Sequence, residues 1–423
     1  MSDIIVIGGG PAGSTAAALL ARKGHSVVLL EREHFPRFQI GESLLPYNND
    51  LFERLGILGK LDLSGAFPKF GAEFVTGDGA VSYTFRFGRH LPAHHARTFQ
   101  VRRAEFDHLL LQNAADAGVE VHEGTAVCGV DLSDPRRAVI DAMTPGGTTR
   151  RFEAQFVIDA SGHNSIIGSR YGGKREEPAL RKIALFAHYR NVVPSATDDN
   201  AGNTVIAILR DAWFWLIPLT SESTSVGMVL DRDAYLRSGK KPEALLSEMI
   251  EATPYVARRM AGAERTTEVH ARKDFSFWME RVYGSNYALA GDAAGFFDPI
   301  FSTGVFMAMK TADLVADAVD EAVRSGRTRL LRSYQKRLHL ALRRYFRFIS
   351  NFYRHEFLEV FLSPGERFGL LQVVIGVLAG DVFESKRDRW RLVVFFALTR
   401  LQKSRAGIAP RISWDTLPAV ADR

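Results

Sequence analysis

Gly8, Gly10 and Gly13 stand in the order Gly-x-Gly-x-x-Gly, directly between a short apolar run and an alanine-rich run that Ala12 opens. That context is the one in which such a turn cradles a phosphate: the first glycine permits the tight turn, the second lets backbone approach a pyrophosphate, and the third lets the helix lie close to the strand. The helix amino terminus adds free amides and a partial positive charge. Glu31 closes the next apolar run, 18 residues beyond Gly13. A carboxylate there accepts hydrogen bonds from ribose hydroxyls and repels a ribose phosphate. Together these residues predict a dinucleotide site, and the turn by itself serves FAD and NAD equally.

Two further groupings have chemical potential. Trp213, Trp215 and Ile217 alternate with Phe214 and Leu216, so a strand would place the two indoles and Ile217 on one face, with Pro218 ending the pairing. Such a pair is either a rigid wall or an ordinary buried sheet core. Thr303 and Gly304 begin a long helical run, where unpaired first-turn amides suit an anion. Ser302 is expected to cap that helix with its side chain.

The elements that must carry these residues follow from periodicity. Runs 3–7, 12–23 and 26–31 read as strand, helix and strand, the opening of a parallel βαβ unit. A helix over 104–117 leads to a strand at 119–122, and alternation returns at 136–142 and 151–158. Between 182 and 230 four successive β-type runs predict an antiparallel sheet, and 302–325 predicts a long helix. The last hundred residues read as helical, with Tyr345, Phe348 and Phe352 on one face as core packing. The expected fold is α/β: a Rossmann-like dinucleotide-binding domain (1–57, 98–170 and 270–325), an antiparallel-sheet substrate domain (58–97 and 171–269) and a helical carboxy-terminal region (326–423).

Composition narrows the classes. The 423 residues contain one cysteine, Cys128, which excludes an internal disulfide or a cysteine metal cluster and favours a reducing, cytoplasmic setting. No basic leader precedes the first apolar run, and the stretch 368–383, broken by Gln372 and Asp381, is too short to span a bilayer. From Arg324 to Arg354 there are ten Lys or Arg and no Asp or Glu. Solvated helix faces explain that run, with an acidic partner as the alternative. No aromatic platform is interleaved with it, so nucleic acid is not expected.

Beyond the glycine turn, Glu31-Arg32, Arg103 ahead of Phe106-Asp107, Asp159-Ala160-Ser161-Gly162 and Gly291-Asp292-Ala293-Ala294-Gly295 resemble the ordered segments of group-A flavin monooxygenases and geranylgeranyl-reductase-like flavoproteins. The resemblance implies FAD as the dinucleotide, with Arg103 near its phosphates and Asp292 on its ribityl chain. Three segments resemble flavin-dependent halogenases of the phenol and pyrrole type in particular: Trp213-Phe214-Trp215-Leu216-Ile217-Pro218, Gly41-Glu42-Ser43-Leu44-Leu45-Pro46, and Asp298-Pro299-Ile300-Phe301-Ser302-Thr303-Gly304. By that resemblance, Gly41, Glu42 and Ser43 lie beside the flavin ring. Thr303 and Gly304 bind halide, Gly304 also bordering the flavin, and Trp213, Trp215 and Pro218 separate flavin from substrate. Lys69, in Pro68-Lys69-Phe70-Gly71, resembles the family lysine that receives hypohalous acid, although Thr76-Gly77 replaces the Trp-Gly pair found after it in many relatives. The implied activity is halogenation, with chloride or bromide and O2, of an electron-rich aromatic ring, free or tethered to an acyl carrier protein. Reduced FAD would come from a separate flavin reductase. Rival readings are a single-component hydroxylase or double-bond reductase on the same scaffold, and a non-catalytic flavin- or carrier-binding module.

Overall fold

The computed structural model describes residues 1–195, 202–273, 276–365, 369–383, 389–404 and 407–420. Its first sheet has seven strands: Glu120–His122, Val27–Leu30, Ser2–Ile7 and Thr149–Asp159 lie side by side, Arg137–Met143 and Ala126–Asp134 extend one edge, and Tyr287–Leu289 also pairs with Thr149–Asp159. The central pairings are parallel, in a register that sets Ile7 against both Leu30 and Asp159, and Asp159 against Leu289. The residues that follow, Gly8, Glu31, Ala160 and Ala290, therefore leave the sheet along one edge. Ligands of open parallel sheets bind at such carboxyl ends. Continuous burial of Ile4, Ile5, Val6 and Ile7 fits strands covered on both faces. Helices Pro11–Arg22 and Thr303–Ser325 pack on each other and against this sheet.

The second sheet runs Glu264–Arg265, Lys182–Arg190, Thr224–Asp231, Ala212–Pro218, Thr204–Ile208, Gly71–Thr76 and Ser82–Arg86, with His270–Lys273 also on Lys182–Arg190. It corrects the expectation of a wholly antiparallel sheet in one place: Thr204–Ile208 pairs parallel with Gly71–Thr76, because the latter arrives from far upstream in the chain. Period two sorts its side chains. Trp213, Trp215 and Ile217 join the main core, whereas Phe214 and Leu216 join a separate core beneath helix Pro242–Ala252.

A two-stranded ribbon, Phe67–Lys69 against Thr98–Gln100, sets Lys69 opposite Thr98. The carboxy-terminal helices Arg329–Phe352, His355–Leu362, Leu370–Ala379 and Arg389–Ser404 pack with Tyr345, Phe348 and Phe352 buried. Among the described residues no helix is long and apolar enough to cross a membrane.

Candidate active site

A cavity of about 640 Å³ runs between the two sheets, from the glycine turn to the tryptophan strand. At its nucleotide end Gly8 has φ +102°, and a Cβ there would meet the Ala160 carbonyl oxygen at 2.5 Å. A Cβ on Gly13 would stand 1.8 Å from the Gly8 carbonyl, so this glycine is what allows helix and turn to touch. Gly10 borders the cavity at the start of helix Pro11–Arg22, which has no side-chain cap. First-turn amides thus remain available to an anion. Glu31 is buried and fixed by backbone, its oxygens accepting from Gly9 N–H at 2.6 Å and Glu33 N–H at 2.8 Å. Arg32 and Ala12 also line this end.

Arg103 lines the cavity with its guanidinium already committed: Nε and Nη2 donate to Asp107 at 2.7 and 2.8 Å, and Nη1 donates to the Ile40 carbonyl at 2.6 Å. It thereby anchors the turn at Gly41, which has φ +100°. A guanidinium that does reach the glycine turn belongs to Arg37, which the sequence did not single out. Its Nη2 lies 3.5 Å from where a Gly10 Cβ would stand, and its Nη1 shares Asp107 with Arg103. Asp292 lines the cavity 3.2 Å from His163 Nδ1. Glu42 is buried, its Oε1 lies 2.7 Å from His188 Nε2, and among the described residues its second oxygen has no partner at the cavity wall. Open helix amides, a glycine cradle and an orphaned buried acceptor are the features a flavin dinucleotide would satisfy.

At the far end Trp213, Trp215 and Ile217 form one wall, their two indole rings 6.0 Å apart. Pro218 ends the strand outside the cavity lining. Ser302, Thr303 and Gly304 line the same cavity. Ser302 corrects an expectation: it occupies the cap position of helix Thr303–Ser325 but makes no capping bond. Its backbone is left-handed, φ 54° and ψ 32°, whereas a capping side chain folds back from extended backbone. The first turn is again left to an anion. Asp298 organises this loop, accepting from Ile300 N–H at 3.0 Å and from the Tyr353 hydroxyl at 2.7 Å.

Lys69 is 2 % exposed. Its Nζ donates to Ser43 Oγ at 2.8 Å and to the Leu44 carbonyl at 3.0 Å, and among the described residues it forms no ion pair. Burial in that setting pushes the amine down from an ordinary 10.5 to about 7. Ser43 and Thr204, joined at 2.9 Å, line the cavity and stand between it and the lysine. Gln100 completes the chain by donating to Thr204 Oγ1 at 2.8 Å. A second buried lysine, Lys182, has the opposite environment: it pairs with Asp231 Oδ1 at 2.7 Å. Lys69 differs in having burial without such a carboxylate partner among the described residues, and burial is what lowers its amine. Thr204, Gln100 and Tyr353 carried no sequence signal, since nothing in their spacing relates them to residues 43, 69 and 213.

Comparison with known proteins agrees with this geometry. A family model described as an FAD binding domain matches residues 1–348. The 1H-pyrrole-2-carbonyl-[peptidyl-carrier protein] chlorinase of Pseudomonas fluorescens is 29% identical over 419 residues, covering 93% of each chain. The corresponding brominase of Pseudoalteromonas luteoviolacea is 34% identical over 326 residues, 76% of this chain and 78% of that one. Among solved structures, the flavin-dependent brominase Bmp2 superposes with a TM-score of 0.85 at 27% identity, covering 96% of this chain and all of its own. A dinucleotide cradle, an indole wall and a buried lysine thus coincide with end-to-end similarity to enzymes of one kind, and the chain belongs to the FAD-dependent halogenases.

Proposed function

We propose that this enzyme attaches chlorine or bromine to an electron-rich aromatic ring, with Lys69 as the residue that carries the halogen to carbon. FAD, when bound and reduced by a separate reductase, supplies with O2 the two-electron oxidation of halide to hypohalous acid. The protein's share is to hold the halide, confine the product and deliver it. The free first-turn amides at Thr303 and Gly304 offer the halide a fixed, positive site without a competing side-chain cap. Trp213 and Trp215 fill the space a ring substrate would need to reach the flavin directly. Ser43 and the Leu44 carbonyl orient the Lys69 amine, whose nitrogen attacks the halogen of hypohalous acid. An N–halogen bond forms as the O–halogen bond breaks, and water leaves with the amine proton. The ring carbon then takes the halogen, its own proton departs, and the amine is restored.

The observation that carries this reading is the Lys69 amine, buried, without a carboxylate partner among the described residues and one hydrogen-bonded layer behind the cavity wall. An ordinary lysine has only about one molecule in a few thousand neutral at pH 7, whereas one titrating near 7 has about half. Likeness to the pyrrolyl-carrier-protein chlorinase and brominase supports a pyrrole or phenol, free or tethered to a carrier protein, as the substrate. The single cysteine supports a cytoplasmic setting, and we retain 1–57, 98–170 and 270–325 as the FAD-binding part, 58–97 and 171–269 as the substrate part and 326–423 as the helical part. The test supplies FAD, a generic flavin reductase, NADH and bromide to wild type and Lys69→Ala with a panel of phenols and pyrroles, read by mass spectrometry. Wild type brominates a member of the panel and Lys69→Ala loses at least a hundredfold in ring product; equal bromination by both removes Lys69 from the mechanism.

A further inference from the structure

The carboxy-terminal helices pack on the 298–304 loop through Phe301, which meets Phe348, Phe352 and Phe361, and one of their residues also hydrogen-bonds it. Tyr353 ends helix Arg329–Phe352, and its hydroxyl accepts from Trp213 Nε1–H at 3.1 Å while donating to Asp298 Oδ2 at 2.7 Å. Asp298 is fully buried and its other oxygen accepts the Ile300 N–H. The face of the Tyr353 ring is covered by Lys182 Nζ, 3.8 Å from its centroid, which in turn donates to Asp231 Oδ1 at 2.7 Å. An indole N–H on a buried tryptophan needs an acceptor, and a buried carboxyl needs donors. Tyr353 meets both needs with one oxygen. The wall and the loop lie on elements from different parts of the chain, Ala212–Pro218 and 298–304, with this phenol bonded to both.

We infer that Tyr353 is a positioning residue that locks the Trp213 indole to the Asp298 loop, so that the halide amides at Thr303 and Gly304 keep a fixed relation to the wall that confines oxidised halogen. The inference rests on the halogenation reading above. Tyr353 does not touch the reacting atoms; it acts through Trp213 and Asp298. Removing its oxygen frees the indole to swing and the loop to breathe while leaving the ring on Lys182 and the fold in place.

Tyr353→Phe is the test, with Asp298→Asn as a second variant that keeps the phenol and weakens its acceptor. With FAD, reductase, NADH and bromide, each variant is expected to consume reduced flavin within twofold of wild type. The ratio of escaped hypobromite, captured by free methionine, to brominated ring is expected to rise at least threefold, with a severalfold higher KM for bromide. In the FAD-free proteins, amide exchange read by mass spectrometry is expected to quicken in 212–218 and 298–304 and to stay unchanged elsewhere. A variant that merely unfolds more easily, with wild-type partition and bromide KM and with exchange raised throughout, overturns the inference. Wild type that oxidises no halide refutes the halogenation reading and this inference together; wild type that halogenates while both variants match it refutes this inference alone.

Discussion

Two buried lysines show how little the residue type says and how much its neighbours do. Lys182 donates to the Asp231 carboxylate at 2.7 Å, whereas Lys69 donates to a hydroxyl and a carbonyl, and burial pushes its amine down to about 7. If the neutral amine is the reacting form, ring halogenation per unit of hypohalite made rises as pH passes through about 7 and levels off above it, and a pH profile of product partition checks this. The same shift acts on stability. Below about 7 the amine is protonated folded and unfolded, and the full cost of a dry ammonium is present; between about 7 and 10.5 the unfolded chain holds the extra proton, so folding gains with pH; above 10.5 the cost is gone. The descent from 10.5 to about 7 corresponds to about 5 kcal/mol. Lys69→Met is therefore expected to be more stable than wild type at pH 6, by up to a few kcal/mol once lost hydrogen bonds are allowed for, with the gap closing as pH approaches 10. Denaturant unfolding at several pH values measures it; a gap that widens with pH contradicts the assigned shift.

At the scale of the element, the tryptophan strand works because its neighbours leave it room. Gly227 faces Trp215 across the pair Ala212–Pro218 and Thr224–Asp231, and a Cβ there would stand 2.3 Å from Trp215 Cζ2 and 2.5 Å from Phe186 Cβ. Gly227→Ala must push the indole toward the cavity. The expected cost is about 1–3 kcal/mol of overpacking, accompanied by weaker FAD binding, because Trp215 moves into space that the cavity now keeps open. Flavin titration and thermal unfolding of the variant measure the two effects; unchanged FAD affinity would mean the strand yields on its other face. Period two was legible in the sequence and assigned Trp213, Trp215 and Ile217 to a common face. The parallel junction between Thr204–Ile208 and Gly71–Thr76 was not, because strand pairing across more than a hundred residues leaves no local trace.

For the whole molecule, one continuous core joins the nucleotide sheet, the cavity face of the second sheet and the carboxy-terminal helices, from Ile4 to Leu417. Cooperative unfolding of all three together is the expected behaviour, with a single calorimetric transition. FAD at a hundred times its Kd is expected to stabilise the folded enzyme by about 2.7 kcal/mol, raising that transition by a few degrees without splitting it. Two transitions, of which FAD moves only one, would show that the sheets unfold independently. The basic helix Arg329–Phe352 is part of this core through Tyr345, Phe348 and Phe352, so its charges mark the wet side of a packed element.

The sequence alone determined the nucleotide turn, since Gly8, Gly10, Gly13 and Glu31 lie within one βαβ unit, where spacing along the chain is nearly spacing in the fold. It also determined the alternation of the tryptophan strand and, to within one residue, the start of the long helix, expected at Ser302 and found at Thr303. What decided whether Lys69 has a lone pair, whether Arg37 or Arg103 faces the turn, and what holds Trp213 was tertiary structure. Each of those depends on which groups from Ser43, Asp107, Asp298 and Tyr353 arrive within hydrogen-bond reach. Desolvation and hydrogen bonding fall off over a few ångströms, and in a chain folded from distant segments that range brings together residues separated by tens to hundreds of positions.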